Sequence, residues 1–274
     1  MKTILITGCS SGIGHCAATT LKKRGWRVFA TTRKIEDVNQ LKAEGFEAFQ
    51  LDLNDSASIK TTVVAVLTKT DNKLDALLNN AGYAETGAVE DLTRDALRRQ
   101  FETNLFGLLE LTNLIIPVMR KQGFGRIINI SSVLGLVALP FHSGAYQASK
   151  FALEGLTDCL RMELYGTDIK ISLIEPGPIE SKFRENARLA FEHNLNLQQS
   201  KHKERYQKWL NRVERNKKES IFTRSPQAVV KKIVQALDRR PKIRYYVTMP
   251  TYFLACCKRL LPHSILDWLL RKIS

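Results

Sequence analysis

Six short apolar runs limit what this chain can become: residues 3–7, 27–31, 47–51, 74–78, 127–130 and 169–174. Each has the length and burial character of a strand, and segments with helical hydrophobic periodicity separate them. Strands alternating with helices at this rhythm predict an α/β fold, a parallel doubly wound sheet whose ligands meet the C-terminal ends of the strands. With 274 residues and a 44% apolar share, the chain suits one such domain over residues 1–274, burying a core without disulfides or metals. It shows no internal repeat and no low-complexity linker.

The polar chemistry falls at the ends of these runs. Directly after the first comes Gly8-Cys9-Ser10-Ser11-Gly12-Ile13-Gly14, followed by a helical pattern through Ala17, Ala18, Leu21 and Arg24. A strand, a glycine turn and a helix N-terminus form an anion site, with backbone N–H groups and the helix dipole facing a pyrophosphate. Glycines after a strand are also common as plain turns, so position at the first strand is what gives this motif weight. The second run ends at Thr32-Arg33-Lys34, where an acidic residue would otherwise grip a ribose 2′-hydroxyl. Arginine there suits a 2′-phosphate and favours NADP(H) over NAD(H); the alternative is a solvated basic turn. The third ends at Asp52-Leu53, either an adenine contact or a solvent-facing loop. The fourth ends at Asn79-Asn80-Ala81-Gly82, small residues that let backbone pass close to a flat ligand.

A helical pattern then covers residues 94–119, with Phe101, Leu105, Leu108, Leu109 and Thr112 facing inward. Asn104 is polar in that apolar setting, and reads either as a surface residue or as one that positions water. The fifth run ends at Ser131-Ser132, and the helical pattern after it carries Tyr146 and Lys150. These two are i and i+4, on one face, so the ammonium is expected near the phenol, favouring its ionised form. A phenol titrates near ~10, too high for acid–base work at neutral pH unless a cation lowers it. Ser132 is placed to hold a carbonyl oxygen while Tyr146 exchanges the proton. The sixth run leads into Glu175-Pro176-Gly177-Pro178-Ile179.

Together these motifs resemble the short-chain dehydrogenase/reductase family, over residues 3–181 and more weakly over 226–248. Residues 7–14 match its cofactor turn, Asn79 to Gly82 its fourth-strand motif, and Pro176-Gly177 its nicotinamide-side loop. The resemblance implies a Rossmann fold and hydride transfer between a nicotinamide and a carbonyl or alcohol carbon. In it, Tyr146 is the general acid in reduction and Ser132 polarises the carbonyl. Lys150 lowers the tyrosine pKa and binds the nicotinamide ribose, while Asn104 holds a water linking Lys150 to solvent. Arg33 looks like the NADP-selecting arginine, although Ser11 is not the basic partner that some NADP users carry. Leu139-Pro140-Phe141, residues 149–155 and residues 174–177 are similar to the 17β-hydroxysteroid and retinol dehydrogenase group, which implies a lipophilic substrate; kinship of fold does not fix it.

The net charge of +15 is unevenly placed: residues 1–181 are balanced, whereas residues 182–224 and 239–274 each carry +7. Residues 182–224 occupy the position of the family's substrate lid. There Tyr206, Trp209, Leu210 and Val213 share one helical face, with Lys203, Arg205, Lys208, Arg212 and Arg215 over much of the rest. That segment reads either as a lid closing on the site or as a helix lying on an anionic membrane. Within the basic C-terminal segment 249–274, Ser264 and Asp267 resemble a capping box that starts a helix bearing Ile265, Leu266, Leu269, Leu270 and Ile273. It is expected to dock on the protein body, a partner subunit of a homo-oligomer, or a membrane.

Met1-Lys2 leads straight into the first run, leaving no room for a signal peptide, and no apolar stretch reaches the ~20 residues of a spanning helix. A cytoplasmic protein, or one lying on a membrane's cytosolic face, is expected. The five cysteines lack metal or redox spacing and read as reduced thiols; no metal is expected. Nucleic-acid binding is not expected, since the basic segments carry no reading motif. The leading function is an NADP(H)-dependent reductase of small lipophilic carbonyls. Its rivals are a 3-oxoacyl thioester reductase, whose basic lid attracts an acidic carrier protein, and a non-catalytic NADP(H) sensor.

Overall fold

The computed structural model describes residues 1–140, 143–194, 200–214, 221–238 and 240–273. Among them, seven strands form one parallel sheet: β1 (Thr3–Ile6), β2 (Arg27–Thr32), β3 (Glu47–Gln50), β4 (Ala76–Asn79), β5 (Gly125–Ile130), β6 (Ile169–Glu175) and β7 (Arg244–Tyr246). Their order is β3-β2-β1-β4-β5-β6-β7, so the chain builds outward from β1 in one direction and then returns to build outward in the other. A crevice opens above β1 and β4, where that direction reverses.

Alternation along each strand explains why both faces are covered. Ile4 and Ile6 of β1 point to one side, where they meet Ala17 and Leu21 of α1 (Gly12–Lys23) and Val229 and Ile233 of α9 (Pro226–Ala236). Leu5 points to the other, joining Ile59 of α3 (Ser56–Thr68) and Leu111 and Ile115 of α5 (Gly107–Gln122). A strand buried on both faces reads as an unbroken apolar run, which is why β1 shows no polar alternation. The expected parallel doubly wound sheet is the observed one, with strand ends within one or two residues of the apolar runs.

Three details differ. The helical stretch after β4 is α4 (Arg94–Phe101), a π turn over Glu102–Phe106, and then α5. Such a turn rotates the face that follows it, so Leu111 is buried where Leu109 is only half-buried; Leu105, Leu108 and Thr112 are buried as expected, and Phe101 is half-buried. The seventh strand, three residues long, was not among the apolar runs. Third, the C-terminal helix α11 (His263–Ile273) begins before Ser264: the Pro262 carbonyl accepts from the N–H groups of Ile265 and Leu266. Ser264 is therefore inside the first turn and does not cap it. Leu266 and Leu270 are buried against α10 (Met249–Leu260) and Val137, whereas Ile265 and Ile273 are about half exposed.

The basic segment after β6 holds α7 (Phe183–Asn194) and α8 (Lys203–Glu214). Tyr206 and Leu210 of α8 are buried with Phe191 of α7, whose ring centre lies 5.0 Å from that of Tyr206 and 5.4 Å from that of Trp209. The Tyr206 hydroxyl donates to the Asp91 carboxylate and accepts from the Ala88 N–H. The apolar side of α8 thus faces the protein. The side chains of Arg212 and Val213, and Phe141 and Arg215 altogether, lie outside the described residues.

Candidate active site

The first corner of the site is made of backbone. The Thr7 hydroxyl accepts from the N–H groups of Asn80 (3.0 Å) and Ala81 (2.9 Å). The Asn80 amide in return donates to the carbonyls of Thr7 (2.9 Å) and Gly8 (3.0 Å). This lattice draws the ends of β1 and β4 together so tightly that side chains would not fit. A Cβ on Gly14 would sit 2.1 Å from the Gly8 carbonyl oxygen, and one on Gly8, at φ +73°, 2.8 Å from the Ala81 Cα. α1 starts here with no side chain capping it and no acidic residue in its first turn. Its first N–H groups are left for an anion beside exposed Ser10 and half-buried Ser11, Gly12 and Ile13. A dinucleotide pyrophosphate fits that donor set.

Around this turn lie the other expected contacts. Arg33 and Lys34 are exposed just beyond β2, and the Arg33 carbonyl is held by the Gln50 amide at 3.0 Å. Asp52 is half-buried, its carboxylate accepting from the Asn54 N–H at 2.9 Å, while Leu53 is buried. Gly82 is exposed on the rim beside Asn104. Across the crevice, Pro176 is buried, Gly177 and Ile179 are half-buried, and the Pro176 carbonyl accepts from the Val133 N–H at 2.8 Å. Residues 176–179 are in this way tied to the end of β5.

The second corner is made of side chains. Ser132 and Tyr146 are each 8% exposed, and Lys150, on α6 (Gly144–Glu163) with Tyr146, is 5% exposed. Lys150 Nζ donates to the Ile130 carbonyl at 2.8 Å and lies 5.7 Å from the centre of the Tyr146 ring. The expected lowering of the phenol by Lys150 does not appear. Burial pushes Tyr146 up to about 12, and it is the Ser132 hydroxyl that pulls the other way. Burial also pushes Lys150 down to about 8, with Glu154 opposing it. Desolvation outweighs the neighbouring charge because both groups are almost completely enclosed.

Asn104 is not a surface residue. Fully buried in the π turn, its amide group donates to the Tyr83 carbonyl (3.1 Å) and to Ser149 Oγ (3.1 Å), and its oxygen accepts from the Tyr83 N–H (3.2 Å). Ser149 Oγ donates to the Tyr146 carbonyl at 2.7 Å. Asn104 therefore fastens the rim of β4 to the helix that carries the phenol. Above that phenol lie apolar groups of α7 and the loops: the Phe183 ring centre is 5.3 Å from that of Tyr146, with Ala84, Leu134 and Ala187 around it.

Several supporting residues escaped the sequence reading. Arg244 of β7 contacts Glu154 (3.1 Å) and Asp158 (2.6 Å) of α6 and Glu175 (3.2 Å) at the end of β6. Burial and Glu154 push the Glu175 carboxyl well above the usual carboxylate range. Tyr146, Lys150, Glu154 and Asp158 recur every four residues along α6, a stripe of titratable groups that was visible in the sequence. Glu175 and Arg244 left no such signal.

Comparison with known proteins agrees with this geometry. A family model described as short chain dehydrogenase matches residues 2–191. The chain is 41% identical over 271 residues to the uncharacterized oxidoreductase YbbO of Escherichia coli (strain K12), covering 98% of this chain and 94% of that one. It is 32% identical over 272 residues to the 3-ketodihydrosphingosine reductase of Bacteroides thetaiotaomicron, covering 98% and 97%. Human retinol dehydrogenase 8 is 38% identical over 192 residues, 66% of this chain and 60% of that one. Among solved structures, a short chain dehydrogenase/reductase from Burkholderia phymatum in complex with NAD superimposes with a TM-score of 0.77 at 25% identity, covering 98% and 95%.

Proposed function

This chain belongs to the short-chain dehydrogenase/reductase family, oxidoreductases that use a nicotinamide cofactor, and on that premise we propose that it is an NADP(H)-dependent reductase of lipophilic carbonyls, and the corresponding alcohol dehydrogenase in reverse. The observation that carries the reading is the Tyr146 phenol, enclosed beneath Phe183 and Ala187 with Ser132 and Lys150 beside it. A proton donor under an apolar cover suits a substrate that is itself apolar around its carbonyl.

When bound, the cofactor supplies hydride to the carbonyl carbon. The carbonyl oxygen receives its proton from Tyr146, which is neutral and able to donate at physiological pH because burial holds it near 12. Ser132 donates a hydrogen bond to that oxygen and orients it. Lys150 would hold the nicotinamide ribose, and it is the Ser132 hydroxyl that favours the phenolate left behind. Asn104 positions the water through which Lys150 reaches solvent. Gly8, Ser10, Ser11, Gly12, Ile13 and Gly14 would receive the pyrophosphate. Asp52 and Leu53 would receive the adenine, and the small residues at Asn80, Ala81 and Gly82 would let the backbone approach the cofactor closely. Pro176, Gly177 and Ile179 would hold the nicotinamide side.

Two facts support the finer assignments. The turn directly after β2 presents Arg33 and Lys34 to solvent where an acidic residue would otherwise accept a 2′-hydroxyl, and relatives over the whole or most of the family region include a 3-ketodihydrosphingosine reductase and a retinol dehydrogenase. Arg33→Ala is expected to weaken NADPH binding about tenfold, the loss of one charge-assisted contact, with NADH little changed. An equal effect on both would remove that role. With NADPH, retinal or a steroid ketone should be reduced faster than a 3-oxoacyl thioester; the reverse order would favour the thioester reductase.

A further inference from the structure

α10 and α11 dock through one side and leave the other uncovered. Leu254 and Cys257 of α10 and Leu266 and Leu270 of α11 close over Val137. On the outward side of α10, Met249, Tyr252, Phe253, Cys256 and Leu260 are exposed. Their spacing, i, i+3, i+4, i+7 and i+11, makes one continuous helical face. Phe253 is 56% and Leu260 79% exposed. α11 adds Ile265 and Trp268, the latter 56% exposed. Scattered apolar residues on a surface are ordinary, but a row on each of two consecutive helices is not.

Charge selects what covers them. Residues 239–274 hold eight Lys+Arg against one Asp+Glu. Exposed Arg259 flanks the row on α10, and exposed Arg271 and Lys272 border the one on α11, with Lys272 Nζ 4.1 Å from the centre of the Trp268 ring. A second copy of the chain meeting this face through the same face would set like charges against each other. An anionic lipid surface takes both the apolar rows and the basic border. We propose that the outer faces of α10 and α11 form a peripheral docking surface for an anionic bilayer. None of the described helices is long and apolar enough to cross a membrane, and an interfacial contact requires none.

The placement links this surface to the site. Thr248, immediately before α10, packs so closely on Gly177 that a Cβ there would sit 2.1 Å from Thr248 Oγ1. The row opens at Met249, one residue on, beside the loop assigned to the nicotinamide. Docking would bring the crevice to the lipid surface, where a lipophilic carbonyl concentrates; this purpose rests on the proposed function, whereas the surface itself does not.

The test is co-sedimentation of the full chain with phosphatidylcholine vesicles, with and without phosphatidylserine. Binding should require the anionic lipid and weaken with salt. Arg259→Ala with Arg271→Ala should lower the association constant about fivefold per charge removed, and Phe253→Ser with Trp268→Ser at least about tenfold. Turnover of a water-soluble aldehyde, followed in parallel, should stay at the level of the unmodified protein and so report intact folding. Absence of binding, equal binding to both vesicles, or full binding by the Phe253/Trp268 variant would overturn the proposal. So would a drop from dimer to monomer in that variant on gel filtration, which would make the face an interface between copies. A chain that binds anionic vesicles but reduces no lipophilic carbonyl would keep the docking surface and refute the substrate assignment.

Discussion

The glycine turn and the Ser132–Tyr146–Lys150 corner face each other across the crevice, and they depend on opposite kinds of support. At the turn, groups that would meet a ligand are backbone N–H groups, and what the fold must supply is empty space: Gly14 lies so close to Gly8 that no side chain could be added. At the other corner the working groups are side chains, and what must be supplied is charge compensation. Lys150 is buried beside Glu154, and behind Glu154 lie Asp158, Glu175 and the single guanidinium of Arg244 that contacts all three carboxylates. Crowding therefore limits the first corner, and electrostatics the second.

That contrast is broken most sharply at Arg244. Arg244→Met leaves Glu154, Asp158 and Glu175 without the guanidinium that contacts all three, and should cost about 3 kcal/mol in urea unfolding. The figure is at the low end for a buried pair because the Arg244 side chain keeps 27% of its exposure. A loss under about 1 kcal/mol would mean that the cluster is solvated and does not support α6. Gly14→Ala tests the other corner: a methyl 2.1 Å from the Gly8 oxygen and 2.6 Å from the Asn80 amide nitrogen should cost about 1–3 kcal/mol and abolish measurable cofactor binding in a titration. Retained affinity would show that the turn has room to spare.

A smaller effect sharpens the same comparison through pH. Because burial raises the Glu175 carboxyl, the folded protein holds a proton there that the unfolded chain releases near its ordinary ~4.3. Stability contributed by that proton is present at acid pH and falls as pH rises above that value towards the folded pKa, by up to about 1.4 kcal/mol per unit. Glu175→Gln, which keeps the shape of the protonated acid, should flatten this slope between pH 5 and 8 in thermal or urea unfolding. An unchanged slope would place the proton elsewhere.

The same division explains what could be read from the chain before folding. A two-face strand such as β1 announces itself by an unbroken apolar run, and a turn without side chains by its glycines, because both signals are local. Tyr146 and Lys150 were legible for the same reason: one helical turn separates them. The direction of their pKa values was not, since it follows from how completely α6, α7 and the β5 end enclose them. Arg244 reaches Glu154 and Glu175 across residues remote in sequence, and its strand is three residues long. The π turn at Asn104 shifted the inward face of α5 to Leu111 without a proline or glycine at its start to mark it.

The most direct measurement is a paired one on Tyr146→Phe: NADPH affinity by fluorescence titration, and reduction of a lipophilic aldehyde by NADPH oxidation. The hydroxyl alone is removed from a ring that stays packed on Phe183. Affinity should remain within about twofold while turnover falls about 10²–10⁴-fold, as expected for loss of a general acid. Turnover within about tenfold of the unmodified enzyme, with the cofactor still bound, would show that the proton comes from another group.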